Sequence, residues 1–204
     1  MDTISRASLD QEIYLRGLTG YFTGRDLLEG YKRVAIILYP DRICSSMVGA
    51  VIGGFLSKGN YKDESAKVFL YEENKLSETI KEVLKYNPDA IFIVFGGEQK
   101  LSVINDMTKK TIEELMKNNY NKALLIHGRT WLATKQLSTI LSDQKIKDYL
   151  KSLPDIRTFI ADVQNKKIGF YKIKIEESIK LEKYAEENIT DEHANLLKIS
   201  VPPQ

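Results

Sequence analysis

Short runs of unbroken apolar residues alternate along this chain with longer stretches in which apolar positions recur every three or four residues. The clearest run is Asp89-Ala90-Ile91-Phe92-Ile93-Val94-Phe95-Gly96-Gly97-Glu98-Gln99-Lys100, apolar from Ala90 to Phe95 and then abruptly polar. Such a run, ended by glycines, reads as a strand buried on both faces that emerges at the C-terminal edge of a parallel sheet. Two more runs have the same character, Val34 to Tyr39, stopped by Pro40, which cannot continue a central ladder, and Ala123 to Ile126; Ala66 to Leu70, interrupted by Lys67, reads as a further strand.

Helical spacing fills the intervals. Leu76, Ile80, Val83 and Leu84 mark one helix, and Leu101, Ile104, Met107, Thr108, Ile112, Leu115 and Met116 another. Ile43 to Ser57 is apolar on nearly all sides and carries Gly49, Gly53 and Gly54, which predicts a buried helix with close backbone approaches, ended by Gly59-Asn60. Upstream, Ser8 with Gln11 three residues on has the form of a capping box, after which Gly17 and Gly20 are expected to break the helix and Thr23 to Tyr31 to add a turn or two. Downstream, Leu132 to Leu141 and Asp143 to Leu150 read as helices. Ile156 to Val163 and Lys167 to Ile175 read as a hairpin turning at Gln164-Asn165-Lys166. The charged segment Glu176 to Glu187 reads as a helix, followed by a short helical piece from Asp191 to Leu197 and a tail at Pro202-Pro203-Gln204.

Four strand–helix units in succession predict an α/β, Rossmann-like fold. The expected sheet has four to five mostly parallel strands, helices on both faces and a C-terminal antiparallel hairpin. Residues 1–204 are expected to form a single domain: a helical lead-in over 1–33, a strand–helix core over 34–151, and a hairpin with a C-terminal helix over 152–204.

Composition narrows the classes. Hydrophobic residues are 43% and charged residues 28% of 204, which is globular rather than disordered. A formal charge of +2 gives no electrostatic case for nucleic acid as partner. The single cysteine, Cys44, excludes an intrachain disulfide, and with only His127 and His193 no metal site and no cofactor is indicated. Met1 to Asp10 lacks the apolar core of a signal peptide, and Ile43 to Leu56 is too short to span a bilayer, so a cytoplasmic location is expected. Abundant Ile, Lys, Glu and Tyr with few Cys and His give a thermophile-like composition.

In an open α/β sheet, ligands bind beyond the carboxyl ends of the strands. That rule selects four loops: Pro40-Asp41-Arg42 with Ser45-Ser46, Glu72-Glu73-Asn74, Gly96 to Lys100, and His127-Gly128-Arg129-Thr130. Arg42, Lys100 and Arg129 would supply charge to an anion, Gly96, Gly97 and Gly128 backbone donors, and Ser45, Ser46 and Thr130 hydroxyls. There is neither a Gly-x-Gly-x-x-Gly spacing nor a Walker lysine. His127 at a strand end, oriented by Glu98, is the candidate acid–base pair. Cys44 sits beside a helix N-terminus, but Ile43 and Met47 around it read as a buried position.

The stretch KLSETIKEVLKYNPDAIFIVFGGEQKLSVINDM, Lys75 to Met107, with Gly96, Gly97, Glu98 and Ser102, resembles the type 2 cell-wall-binding repeat of bacterial and archaeal surface proteins. His127 to Thr134 is similar to the motif that precedes each repeat of that family. The resemblance covers about half the chain and implies a non-catalytic Rossmann-like module that self-associates and holds an anionic wall polymer; read separately, the small-residue helix 43–57 is the candidate interface for assembly. The expected function is therefore a non-catalytic, homo-oligomeric binding or assembly module that takes an anionic small molecule or polymer at the strand ends. One alternative looks like the CRISPR-associated Rossmann-fold domains that sense or cleave cyclic oligonucleotides, with Ser45, Ser46 and Lys100 at the nucleotide. Another is an enzyme using His127 and Glu98.

Overall fold

In the computed structural model, which describes residues 6–59 and 63–201, seven strands form one sheet. They are β1 (Val34–Leu38), β2 (Ala66–Leu70), β3 (Ala90–Val94), β4 (Ala123–Ile126), β5 (Ile156–Asp162), β6 (Lys167–Ile175) and β7 (Ile179–Asn188), in the spatial order β2-β1-β3-β4-β5-β6-β7. The first five run parallel to one another, and β6 and β7 are antiparallel additions at one edge. The alternation read from the sequence is thus the alternation of the fold, with a larger sheet than the four to five strands expected.

Every residue of β1, β3 and β4 is buried. Successive side chains of a strand point to opposite faces, so each strand feeds two cores. Ala35, Ile37, Ile91 and Ile93 pack with Ile80 and Val83 of α3 (Leu76–Tyr86) and with Ile104, Ile112 and Leu115 of α4 (Leu101–Lys117). Val34, Ile36, Phe92 and Val94 pack with Met47, Val51 and Phe55 of α2 (Arg42–Leu56) on the other face. Helices on both faces make the sheet doubly wound, as expected.

Two segments depart from the sequence reading. Residues 176–187, read as a charged helix, instead form most of β7, paired with β6 from Lys167↔Asn188 to Ile175↔Ile179. Glu and Lys favour helix in isolation. Here Lys167 and Lys183 each reach Glu186, and an edge strand rich in lysine and glutamate resists pairing with another sheet.

The second departure is at the N-terminal side. Gly17 and Gly20 do not end a helix: α1 runs unbroken from Leu9 to Phe22, opened by the Ser8–Gln11 capping box, and continues as a π-helical turn at Thr23–Leu27. Gly20, and Gly24 in the turn that follows, serve contact with α2 instead, while Gly17 meets nothing within 4 Å. A Cβ on Gly20 would lie 2.6 Å from the Met47 carbonyl oxygen, one on Gly24 would land on the Val51 carbonyl, and one on Gly54 on the Tyr21 carbonyl. Ser46 Oγ seals the pair by donating to the Ile13 carbonyl. The tightly packed side of helix 43–57, expected as an interface between copies, is therefore used within the chain, while Gly49 and Gly53 face outward with nothing within 4 Å.

The helices that complete the chain are α5 (Gly128–Ala133), α6 (Ser138–Leu141), α7 (Gln144–Ser152) and α8 (Asp191–Ile199). The expected helix from Leu132 to Leu141 is thus two short helices, separated by Lys135, Gln136 and Leu137 at φ 46, 59 and 65. Three successive left-handed residues cost roughly 1–2 kcal/mol each. Burial of Leu137 and a hydrogen bond from its N–H to Thr134 Oγ1 at 3.1 Å hold them there. The loop residues 60–62 and the tail 202–204 lie outside the described residues. Among the described residues no helix is long and apolar enough to cross a membrane.

Candidate ligand site

From β1 the chain winds to β2 on one side and to β3 on the other, so the sheet reverses direction at the carboxyl ends of β1 and β3, where α/β ligands usually bind. Here that crevice is occupied by the Asp41 side chain. Its Oδ1 caps α2 by accepting from the Cys44 N–H at 2.6 Å. Its Oδ2 accepts from the Glu98 N–H at 3.1 Å and from Gln99 Nε2 at 2.7 Å. Gly97 must be glycine, because a Cβ would collide with this carboxylate. A pocket of about 200 Å³ remains there beside Ile43, Gly97 and Glu98, and a larger opening lies one strand further on, beyond β4 and β5.

That opening is a cavity of about 360 Å³. Arg16, His127 and Arg129 give it polar walls, and Trp131, Leu132, Phe159 and Leu197 apolar ones. Arg16 comes from the middle of α1, which packs on α2 and α8 and so passes over the ends of the strands. It is 5% exposed, and its guanidinium reaches the Gly96 carbonyl and the Glu12 carboxylate, both only at 3.5 Å. Its Nε is buried without a partner among the described residues. Burial lowers its pKa, opposed by the charge of Glu12.

Arg129, 9% exposed, is better held. Its Nη1 donates to the Gly97 carbonyl at 3.3 Å and its Nη2 to Ser200 Oγ at 2.8 Å. Ser200 Oγ in turn donates to Glu12 at 2.9 Å, so one carboxylate serves two guanidinium groups. Gly96, at φ 130, leaves room for the Arg129 side chain, which a Cβ would meet at 2.7 Å. Burial and then the neighbouring Arg16 pull the Arg129 pKa down to about 10, so it stays charged at neutral pH.

His127 caps α5: its Nδ1 accepts the Arg129 N–H at 3.0 Å, which places the proton of the neutral ring on Nε2. Burial, then Arg16 and Arg129, push its pKa well down. Phe159 packs edge-on against the ring at 5.1 Å. The expected partner is elsewhere: Glu98 is at the surface, bonded to Arg42 Nε at 3.1 Å. The acid–base pair His127–Glu98 is therefore not assembled, because the loop carrying Glu98 is anchored on Asp41 and turns its side chain outward.

The other expected residues divide clearly. Thr130 is buried and donates to the Phe95 carbonyl at 3.0 Å, a structural bond. Gly128 allows α5 to sit on β5, since its Cβ would be 2.8 Å from the Phe159 carbonyl. Ser45 is exposed on α2, Ser46 bonds to α1, and Lys100 stands exposed at the start of α4. Of the three expected cations only Arg129 lines the cavity. Cys44 is buried and free, with its thiol pKa raised by burial and then by Asp41, as its apolar neighbours implied.

His193 of α8 shares the acid sensitivity of His127. Its Nε2 lies 2.9 Å from Thr19 Oγ1, and burial pulls its pKa down to about 4. A ring kept neutral in the fold but protonated near pH 6.5 when unfolded binds its extra proton in the unfolded state. Stability from this group is full above about pH 6.5 and is lost as pH falls toward about 4. The expected loss between pH 7 and 4.5 is on the order of 2–3 kcal/mol. Urea unfolding at the two pH values measures it, and His193→Gln should reduce the difference by that amount while His127 keeps its own share.

A comparison with curated proteins finds no match. Solved structures with some likeness include a type 1 periplasmic binding protein from Bordetella pertussis, 14% identical, covering 71% of this chain and 34% of that one at a TM-score of 0.49. A putative branched-chain amino acid ABC transporter from Rhodospirillum rubrum is 13% identical over 72% of this chain and 37% of its own, at 0.48. A leucine-binding protein from Thermotoga maritima is 12% identical over 87% and 66%, at 0.47. The chain spans about a third of the length of the first two. With TM-scores below 0.5, these likenesses say nothing of this chain's ligand.

The resemblance to cell-wall-binding repeats is overturned, because the family that matches is a different one. The motif that suggested it has a local cause: Gly96 and Gly97 are needed for the contacts with Arg129 and Asp41, and Glu98 follows them to the surface. Residues 12–196 match the model of a family described as "Uncharacterized protein", and the chain belongs to that family.

Proposed function

We propose that this chain is a non-catalytic binding module that takes an anionic small molecule beyond the carboxyl ends of β4 and β5, in the cavity walled by Arg16, His127 and Arg129. The observation that carries the reading is the state of Arg16: a buried guanidinium with two contacts at 3.5 Å and an Nε without a partner. A buried charge left short of hydrogen bonds costs several kcal/mol unless something completes it. Of the two buried guanidinium groups only Arg16 has a carboxylate in ion-pair reach among the described residues, Glu12, and the neutral His127 adds no charge. An anion meets both needs at once, and hydrogen bonds to a buried cation are among the strong ones.

The non-catalytic part rests on the same geometry. His127 uses Nδ1 to cap α5, Glu98 is held by Arg42, and the Cys44 thiol is buried with a raised pKa. These side chains serve the scaffold rather than a reaction.

The test is a thermal-shift and calorimetric titration of the whole chain with inorganic phosphate, acetate, citrate and 3-phenylpropionate. At least one anion should bind, and Arg16→Met should weaken it by a factor of about 10–100, the loss of a charge-assisted hydrogen bond. Arg42→Met and Lys100→Met, at exposed positions outside the cavity, should leave affinity unchanged. Binding by Arg16→Met equal to that of the parent chain would sink the proposal, as would silence of the whole panel.

A further inference from the structure

We infer that the ligand of this cavity is a monocarboxylate with an apolar body and no ammonium group, an inference that rests on the anion-binding reading above. The charge balance comes first. Among the described residues Glu12 is the one carboxylate in ion-pair reach of Arg16 and meets Arg129 only through Ser200, while Asp41 acts on Arg16 from further off, so the site has room for one negative charge. A phosphate dianion would reverse the imbalance rather than remove it. Phosphate sites also rely on free backbone N–H groups, and here the Arg129 N–H at the start of α5 is already taken by His127 Nδ1.

The donors that remain suit a carboxylate. Arg16 lines the cavity with a guanidinium whose own contacts are only at 3.5 Å, and His127, with Nδ1 engaged as an acceptor, carries its proton on Nε2. Two N–H groups on different elements suit the two oxygens of one carboxylate. An α-ammonium, by contrast, would enter a wall that carries two arginines and no carboxylate. The Gly96 and Gly97 carbonyls receive Arg16 and Arg129, and Glu12, whose Oε2 meets both Arg16 and Ser200, stands behind the wall rather than on it.

The rest of the wall sets the body. Trp131, Phe159, Ile160 and Leu197 line the cavity, and Leu132, a large apolar residue left 55% exposed, stands on its wall toward solvent. A volume of about 360 Å³ is near the lower end of small-molecule sites, which run from about 300 to 1,000 Å³. That space suits an aryl or branched alkyl group on a short acid rather than a nucleotide or a polymer.

Four probes applied to the whole chain separate the possibilities: 3-phenylpropionate, its primary amide, L-phenylalanine and inorganic phosphate, followed by calorimetry and by the fluorescence of the single tryptophan, Trp131. The inference expects 3-phenylpropionate to bind at least tenfold more tightly than each of the other three and to change Trp131 emission. Leu132→Asp, at an exposed position that folding does not need, should weaken it about tenfold. Phosphate bound with 3-phenylpropionate ignored would overturn this inference and leave the anion-binding reading standing. Phenylalanine bound as tightly as 3-phenylpropionate, or Leu132→Asp without effect, would also overturn it alone. Equal affinity for acid and amide, or no binding by any probe, would overturn both.

Discussion

Replacing Gly24 by alanine should cost this protein roughly 4 kcal/mol or more, a large share of the about 5–15 kcal/mol by which a domain is stable. The added methyl group would land on the Val51 carbonyl oxygen, with the Phe55 backbone nitrogen at 2.8 Å as the next obstacle. Both obstacles are main chain, so no rotamer change relieves the clash. The helices must separate, and Gly20 and Gly54 show that the close approach extends along both. Overpacking between side chains typically costs 1–3 kcal/mol, and a rigid backbone obstacle should exceed that range. The control lies on the partner helix, α2: Gly49→Ala and Gly53→Ala meet nothing within 4 Å and should stabilise by about 0.5–1 kcal/mol through helix propensity. Chemical denaturation of the three variants decides the matter, and a Gly24→Ala chain as stable as the parent would refute the packing described for α1 and α2.

Asp41→Ala should be the next most damaging change, at about 3 kcal/mol. It removes the cap of α2, worth about 1 kcal/mol, and leaves the Glu98 N–H and the Gln99 amide without their acceptor. Asp41→Asn should recover only part of this. Its Oδ1 can still cap Cys44, but an amide N–H₂ in place of Oδ2 would face two donors. The loss should be local as well as global: amide exchange at Glu98 should quicken well beyond what the drop in global stability explains. Exchange at Glu98 no faster than at a β3 amide would show that the loop does not depend on Asp41.

The periodic parts of the fold were legible because buried parallel strands leave long apolar runs, and β1 to β4 with α3 and α4 follow the sequence within a residue or two. The first misreading came where the pattern is weakest. β7 buries little, its Lys and Glu favour helix in isolation, and only pairing with β6 makes it a strand. The second came from glycine. In sequence Gly17 and Gly20 look like breaks, whereas Gly20 is a helix-contact residue, which only the neighbouring helix reveals. The site was half legible for a related reason. The strand-end rule found His127 and Arg129, which local chain direction fixes. Arg16 sits mid-helix, and no local signal says that α1 crosses the strand ends. Arg42 and Lys100 were plausible cations on the right loops, but the Asp41 anchor turns that region outward.

The link from Glu12 through Ser200 to Arg129 joins residues 188 apart in the chain. During synthesis at about 5–20 residues per second, roughly ten to forty seconds separate the two ends of that link. Throughout that interval α1 can dock on α2 and β4 can join the sheet, yet Arg16, Glu12 and Arg129 lack the serine that joins the carboxylate to Arg129. The wall of the cavity formed by Arg16 and Arg129 therefore takes its final arrangement only after residue 200 has been added, well after the parallel strands have been made.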